Sequence, residues 1–264
     1  MNFADYQYIS FARRGRVLEI TLNRPEQLNA FNAGLHAEMA RVFIDANNDP
    51  ESEVIVLTGA GRAFSAGGDL EAVKADFDNP AAFRVTAREG KQIVFAQLDC
   101  EKPIIAKING PAIGLGCSVA LFCDVIFAAD TAKFADPHVN VGLVAGDGGA
   151  IIWPQLIGYA RAKEYLLTGD AITATEAARI GLINHAVPPA ELDARVDQFA
   201  DRLANGATNA IRWTKVATNI ALKQIAYSVM DTCMSYEWLA SKTDDHREAV
   251  NALLDKRKPA FTGK

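Results

Sequence analysis

The chain has 264 residues, half of them apolar, and a formal net charge of −5. This length and apolar content suit one large α/β domain, or one domain with a smaller appendage. The mildly acidic balance argues against a face built to hold a nucleic-acid backbone. Cys100, Cys117, Cys123 and Cys233 form no C-x-x-C pair, and no apolar run reaches the roughly 20 residues that span a bilayer. Residues 1–10 are neither basic nor apolar enough for a signal peptide, so reduced thiols in a cytoplasmic protein are expected.

Residues 6–12 and 17–22 read as the strands of a hairpin that turns at Gly15. Asn32 is placed to cap a helix whose apolar face is Leu35, Met39, Val42 and Phe43. Residues 53–58 form a short apolar strand, the loop GAGRAFSAGGD follows, and a helical pattern runs through 80–98 with Pro80 in its first turn. After Pro103 the strand IIAKI leads into NGPAIGLG and an apolar helix over 117–122, and 124–129 is a further buried strand. The recurring order of strand, glycine-rich loop and helix favours parallel pairing, with loops collected at the strand C-termini where such folds place ligands. Thr173-x-x-Glu176 has the pattern of a capping box, Gly181 is a helix stop, and helical patterns dominate 189–256. The chain therefore divides into a core of residues 1–188 and a helical region of 189–264, packed on the core or on a neighbouring subunit.

Two loops carry the chemical signal. Gly59-x-Gly61 is half a dinucleotide fingerprint, without the third glycine or the acidic partner. The following Phe64-Ser65-Ala66-Gly67-Gly68-Asp69-Leu70 is small enough to let a ligand approach the backbone, and Asp69-Leu70 opens a helix whose first N–H groups favour negative charge. A tight structural turn would read the same way. The stretch from Asn109 to Ser118 repeats the pattern of strand end, glycines and helix start. Side by side, two such loops can aim two N–H donors at one oxygen, as an oxyanion hole requires. Gly116-Cys117-Ser118-Val119-Ala120 is not a nucleophile elbow, because its last position is alanine. His36, His138, His185 and His246 show no metal-ligand spacing, so no metal is expected.

Further pieces recur in order: Asn23-Arg24-Pro25 through Leu28-Asn29-Ala30, AFSAGGDL, KPIIAKINGPAIGLGCSVALFCDVIFAAD, LLTGD, Thr175-Glu176-Ala177, Gly181-Leu182-Ile183-Asn184 and LLDKRKPAFTGK. Over nearly its whole length the chain resembles the crotonase superfamily, the enoyl-CoA hydratase/isomerase family. The resemblance implies an α/β fold, a crotonase-like spiral of ββα units with a C-terminal helical region, assembled as a homotrimer or hexamer. It implies acyl-CoA thioester substrates, with coenzyme A part of the substrate, no separate cofactor, and neither nucleic acid nor membrane as partner. It places the oxyanion-hole donors on Gly68 and Leu115. The second position is usually glycine; leucine keeps the N–H, but its side chain must point away from the thioester. Contacts to coenzyme A are implied near Arg24, Leu28, Ala66, Gly68, Asp69 and Leu70, and Lys256 and Lys258 of the tail are implied near its phosphates.

The chain departs from this pattern where hydratases carry two glutamates: it has Ser118 and His138. Adding water to a conjugated double bond needs one group to activate the water and another to protonate carbon, and a neutral serine hydroxyl replaces a carboxylate poorly. His138 either titrates near neutrality or is an ordinary hydrogen-bonded, half-buried residue. Asp147, in Val144-Ala145-Gly146-Asp147-Gly148-Gly149, either caps the apolar helix of 150–157 or moves the proton, or does both. Asp69 and Asp124 read as mainly structural. The leading expectation is an enolate held at Gly68 and Leu115, with Asp147 and His138 moving the proton. A single base suits double-bond isomerisation better than hydration. Hydrolase- or dehalogenase-type chemistry on a CoA ester through Asp147, and a CoA-ester-binding protein with little catalysis, are the alternatives.

Overall fold

The computed structural model describes residues 3–75, 77 and 79–264. β1 (Ile9–Arg14) and β2 (Val17–Leu22) pair antiparallel across a turn at Gly15, whose φ of +56° suits a residue without Cβ. α1 (Ala33–Asn47) starts at Asn32, whose Oδ1 accepts the Leu35 N–H at 2.9 Å. β3 (Val54–Gly59) is buried at every position, as its unbroken apolar sequence requires of a strand covered on both faces. α2 (Leu70–Ala75) and α3 (Pro80–Asp99) lead to β4 (Ile104–Ile108), β5 (Ala112–Ile113) and α4 (Leu115–Leu121). β6 (Val125–Ala129), β7 (Lys133–Ala135), α5 (Gly149–Thr168), β8 (Ile172–Thr173), α6 (Ala174–Ile180) and β9 (His185–Val187) follow. α7 (Leu192–Ala204), α8 (Thr208–Ala240) and α9 (Asp244–Leu254) come last.

The main sheet has the order β1-β2-β3-β4-β6-β9, parallel at every pairing after the first hairpin. β5, β7 and β8 make a second, smaller sheet. Parallel pairing and the alternation of strands with helices match the expected α/β spiral. Its core is continuous, from Leu18 and Ile20 through Ile55 and Leu57 to Ile104, Ile105 and Phe134. Each such side chain contributes about 1.5–3 kcal/mol when fully buried.

Three local expectations are corrected. The helix after NGPAIGLG begins at Leu115 rather than 117, directly behind Gly114 at φ +53°. Thr173 accepts from Glu176 N–H as a cap should, but the Glu176 carboxylate pairs with Arg179 at 2.5 Å, so the reciprocal half of the box is not made. The N-cap of α5 is Gly148, not Asp147. The Asp147 side chain still takes the N–H of Gly149, the first residue of α5, and is otherwise engaged as described below.

α8 is fixed to the core by buried charge. Lys215 Nζ lies 2.7 Å from Asp124 Oδ2 and donates to the Lys102 carbonyl at 2.9 Å, while Asp124 accepts Ile104 N–H at 2.7 Å. This supports the structural reading of Asp124 and sets the direction in which α8 runs toward the site.

Candidate active site

Backbone pairing brings the two glycine-rich loops together. Ser65 N–H donates to the Pro111 carbonyl and Ile113 N–H donates to the Ser65 carbonyl, each at 3.0 Å. Phe31 N–H donates to Gly67 O at 2.7 Å and Asp69 N–H to Phe31 O at 3.1 Å, so the intervening Gly68 N–H faces the other way. A Cβ on Gly67 would stand 2.9 Å from Ile113 O, and one on Gly116 would stand 2.5 Å from the Ser65 Cβ. The glycines are therefore what lets the loops touch. Leu115 is the first residue of α4, and its N–H has no intrahelical acceptor by position. Among the described residues neither Gly68 N–H nor Leu115 N–H has a hydrogen-bond acceptor. Both residues line one cavity of about 620 Å³.

His138 and Asp147 line the same cavity. His138 Nδ1 donates to Asp136 Oδ1 at 2.5 Å, and its Nε2 lies 3.3 Å from Asp147 Oδ2. Asp147 Oδ1 accepts from the Ser118 hydroxyl at 3.1 Å. Ser118 itself is buried and lies behind Asp147. Desolvation opposes a charge on His138, but Asp147 and Asp136 together outweigh it and raise its pKa well above the ordinary imidazole range. Desolvation likewise works against the Asp147 anion, yet His138, the Ser118 hydroxyl and the Gly149 N–H hold its pKa below the usual carboxylate value. The resting arrangement is an imidazolium between two carboxylates. His138 is thus more than a half-buried hydrogen-bonding residue, and the Asp147 carboxylate is held by a cation and a hydroxyl.

Ligand atoms of Asp136, His138 and Asp147 lie within 4.8 Å of one another, a grouping the sequence spacing did not announce. Both imidazole nitrogens already face carboxylates, and an imidazolium offers no lone pair, so the cluster suits a metal ion poorly.

Asp136 of this cluster, and Glu237 from outside it, escaped sequence reasoning. Asp136 stands two residues before His138, in a stretch without a recognisable motif. Glu237 comes from α8, where Ala226, Met230, Met234 and Glu237 form one buried stripe at helical spacing. A carboxylate on an apolar stripe was the available signal. Glu237 lines the cavity; desolvation first, then the nearby Asp147 and Asp136 carboxylates, push its pKa up to about 8.

The implied coenzyme A contacts divide into two groups. Ala66, Gly68, Asp69 and Leu70 line the cavity, as does Lys242, which the sequence did not suggest. Arg24 and Leu28 stand behind this wall. Arg24 bonds Asp69 Oδ2 at 3.1 Å and also reaches the Ala30 carbonyl, while the Leu28 carbonyl accepts Ala66 N–H at 2.9 Å. Lys256 and Lys258 are exposed and outside the cavity lining. Apolar residues, among them Val73, Phe77, Phe83, Val141, Leu143, Met234 and Val250, form much of the remaining wall.

Strand-borne loops with free N–H groups, set beside a carboxylate cluster in a largely apolar cavity, are the parts from which α/β enzymes build an active site. The sequence profile of the enoyl-CoA hydratase/isomerase family matches residues 12–264. A crotonyl-CoA hydratase of Syntrophomonas wolfei is 37% identical, the alignment covering 98% of this chain and 99% of that protein. The crystal structure of an enoyl-CoA hydratase/isomerase from Mycobacterium paratuberculosis is 40% identical with a TM-score of 0.86, covering 94% of this chain and 99% of the other. A β-diketone hydrolase from the cyanobacterium Anabaena, bound to (S)-3-oxocyclohexyl acetic acid, is 31% identical with a TM-score of 0.84, covering 91% and 96%. The chain belongs to the enoyl-CoA hydratase/isomerase family, and it is an enzyme of that type.

Proposed function

We propose that this enzyme forms an enolate on an acyl-CoA thioester and uses it to move a carbon–carbon double bond. One observation carries the reading: two backbone N–H groups without acceptors among the described residues, at Gly68 and Leu115, share a cavity with the ionised Asp147. A thioester oxygen between those donors would gain charge as the neighbouring C–H loses its proton. One such donor is worth about 3 kcal/mol of transition-state stabilisation. A carboxylate held below its usual pKa is a weak base, so the reaction depends on the hole to acidify the C–H bond. Asp147 takes the proton, His138 keeps Asp147 ionised and oriented, and Ser118 fixes its second oxygen. In this reading Ala66, Asp69 and Leu70 lie along the thioester and pantetheine arm. Arg24 and Leu28 brace that wall, and Lys256 and Lys258 meet the coenzyme phosphates from the tail. The helices after residue 188 carry a homotrimer contact, with a hexamer as a pair of trimers. Four free cysteines suit a cytoplasmic setting.

Hydrolysis is the second reading. The observation favouring it is the run Asp136–His138–Asp147, which can hold and polarise a water, together with the likeness to the Anabaena β-diketone hydrolase. Incubation with crotonyl-CoA, a 3-enoyl-CoA and a cyclic 1,3-diketone, followed by mass spectrometry for added water and ultraviolet absorbance for the conjugated enoyl thioester, separates the possibilities. We expect conversion of the 3-enoyl-CoA without change of mass, lost at least about 100-fold in Asp147→Asn with acyl-CoA binding retained. Wild-type turnover by Asp147→Asn would sink the carboxylate assignment, and a product carrying added water would favour hydration or hydrolysis instead.

A further inference from the structure

Resting on the enolate reading above, we propose that Glu237 is a further catalytic residue, the acid that gives a proton to the substrate carbon while Asp147 takes one. Neither carboxyl stands at the positions that Ser118 and His138 occupy. One reaches the cavity from the loop before α5 and the other from α8.

Geometry carries the assignment. Glu237 lines the cavity, is 9% exposed, and its Oε2 has no hydrogen-bond partner among the described residues. Buried carboxyl oxygens kept for structure are ordinarily satisfied, so a carboxyl whose backbone support is the Gly146 N–H and whose Oε2 is left without a good partner beside a ligand cavity calls for another explanation. The loop carrying Asp147 is shaped to admit it. A Cβ on Gly146 would stand 2.5 Å from Glu237 Oε2 and 2.6 Å from the Cys233 carbonyl. Glycine at 146 therefore allows Glu237 to sit against the Asp147 loop.

The surroundings set its protonation. Burial opposes the anion most, and the facing carboxylates Asp147 and Asp136 add to this while the His138 cation opposes it; the group titrates at about 8. Cys233, one turn earlier on α8, is the other titratable neighbour, and Lys242, His246, Asp69, Glu71 and His36 complete the charged and titratable lining of the cavity. At neutral pH the site thus holds one anionic carboxylate that accepts a proton and one neutral carboxyl that donates one. Two carboxyls whose environments drive them apart in this way divide the roles of base and acid.

For a 3-enoyl thioester the step balances as follows. Asp147 takes a proton from C2, and the C2–H electron pair enters a dienolate whose charge rests on the thioester oxygen at Gly68 and Leu115. The Glu237 carboxyl gives its proton to C4. The dienolate pair forms the C4–H bond, and the double bond settles between C2 and C3. Asp147 is left protonated and Glu237 ionised. A proton passing from the first to the second through solvent water restores both.

The test uses Glu237→Gln, which keeps shape and neutrality, in the intact enzyme with 3-enoyl-CoA. Net conversion is expected to fall at least about 100-fold. Washout of deuterium from C2, which needs only removal and return of a proton by Asp147, is expected to fall far less. The alkaline limb of kcat/KM near pH 8 in the wild type should vanish in the variant. Wild-type conversion by Glu237→Gln, or an unchanged alkaline limb, overturns the proposal. Infrared difference spectroscopy adds a readout independent of substrate: wild type at neutral pH should show a protonated-carboxyl band that Glu237→Gln lacks. Absence of that band removes the acid whatever the reaction. Absence of washout from every acyl-CoA tried in the wild type, with the band present, instead brings down the enolate reading on which the assignment rests.

Discussion

His138 decides what Asp147 can do. Alone in a desolvated pocket Asp147 would hold its proton; beside the imidazolium it stays ionised. The signs are opposite for the two partners. Asp147, lowered in the folded state, contributes stability above its ordinary carboxylate pKa that is lost as pH falls through its folded value. His138, raised, contributes stability below its ordinary imidazole pKa that is lost as pH rises through its folded value. The pair is therefore whole across neutral pH. His138→Gln keeps a polar side chain but removes the cation, and the acid limb of the kcat/KM profile is expected to move to higher pH. A limb that stays in place would mean that Asp147 does not depend on His138. Much at this scale was legible in the sequence. Gly68, Leu115, His138 and Asp147 could be named from loop composition and a family pattern, because each lies in or beside a glycine-rich segment. Asp136 and Glu237 could not, since their meaning depends on approach. Asp136 matters because it meets Nδ1 of His138, and Glu237 because a helix 90 residues further along the chain meets the Asp147 loop.

At the scale of elements, the site is two loop-to-helix junctions held in register by short parallel pairings. Ser65 bridges to Ala112, and Phe31 bridges to Gly68. Because α4 begins at Leu115, the free N–H falls in its first turn, next to the first loop. Gly116 is the tightest joint between these elements on the α4 side: a Cβ there would meet Ser65 Cβ at 2.5 Å and Oγ at 2.7 Å. Gly116→Ala should push the Ser65–Gly68 loop away from the start of α4. A stability loss of about 1–3 kcal/mol is expected from the overpacking. A drop in kcat larger than any rise in KM should accompany it, since transition-state contacts suffer most. Thermal unfolding and steady-state kinetics on one preparation read both, and an unchanged kcat would show that the junction does not set the donor geometry. The sequence indicated strand, loop and helix here but placed the helix start two residues late. Glycines at 114 and 116 read as loop, whereas Gly116 is helical and tolerated because it admits Ser65. The same limit applied to Asp147. Its place before an apolar helix suggested a cap; Gly148 takes the cap position, while the carboxylate takes the Gly149 N–H together with His138 and Ser118.

At the scale of the whole molecule, composition and periodicity indicated a parallel α/β core and a helical end, and left open what those last helices pack against. A helix pattern reports that one face is apolar, not whose surface covers it. α8 answers half of that question. Its buried stripe, through Ala226, Met230, Met234 and Glu237, faces this chain's own core and cavity. A second stripe stays exposed: Trp213 at 65%, Val216 at 37%, Ile220 at 56% and Tyr227 at 61%, at helical spacings of three, four and seven. An apolar seam of this kind suits the subunit contact proposed above, because isolated subunits rarely leave so many large apolar side chains in line. If that contact is the proposed trimer, sedimentation equilibrium should give a mass of about three times the 28.5 kDa chain. Trp213→Asp combined with Tyr227→Asp should return the mass to that of one chain. The consequence reaches the chemistry, because the same helix carries Glu237 on its buried stripe. Lys215 and Asp124 anchor the helix near its start, and the buried Met230 and Met234 with the Lys91–Asp231 pair hold its far half, so the seam can act on Glu237 only through the helix itself. A monomeric double variant that loses kcat without losing its fold would show that the seam steadies the Glu237 end of the helix. A variant that stays trimeric, or a monomer with full kcat, would show that the seam and the site are independent.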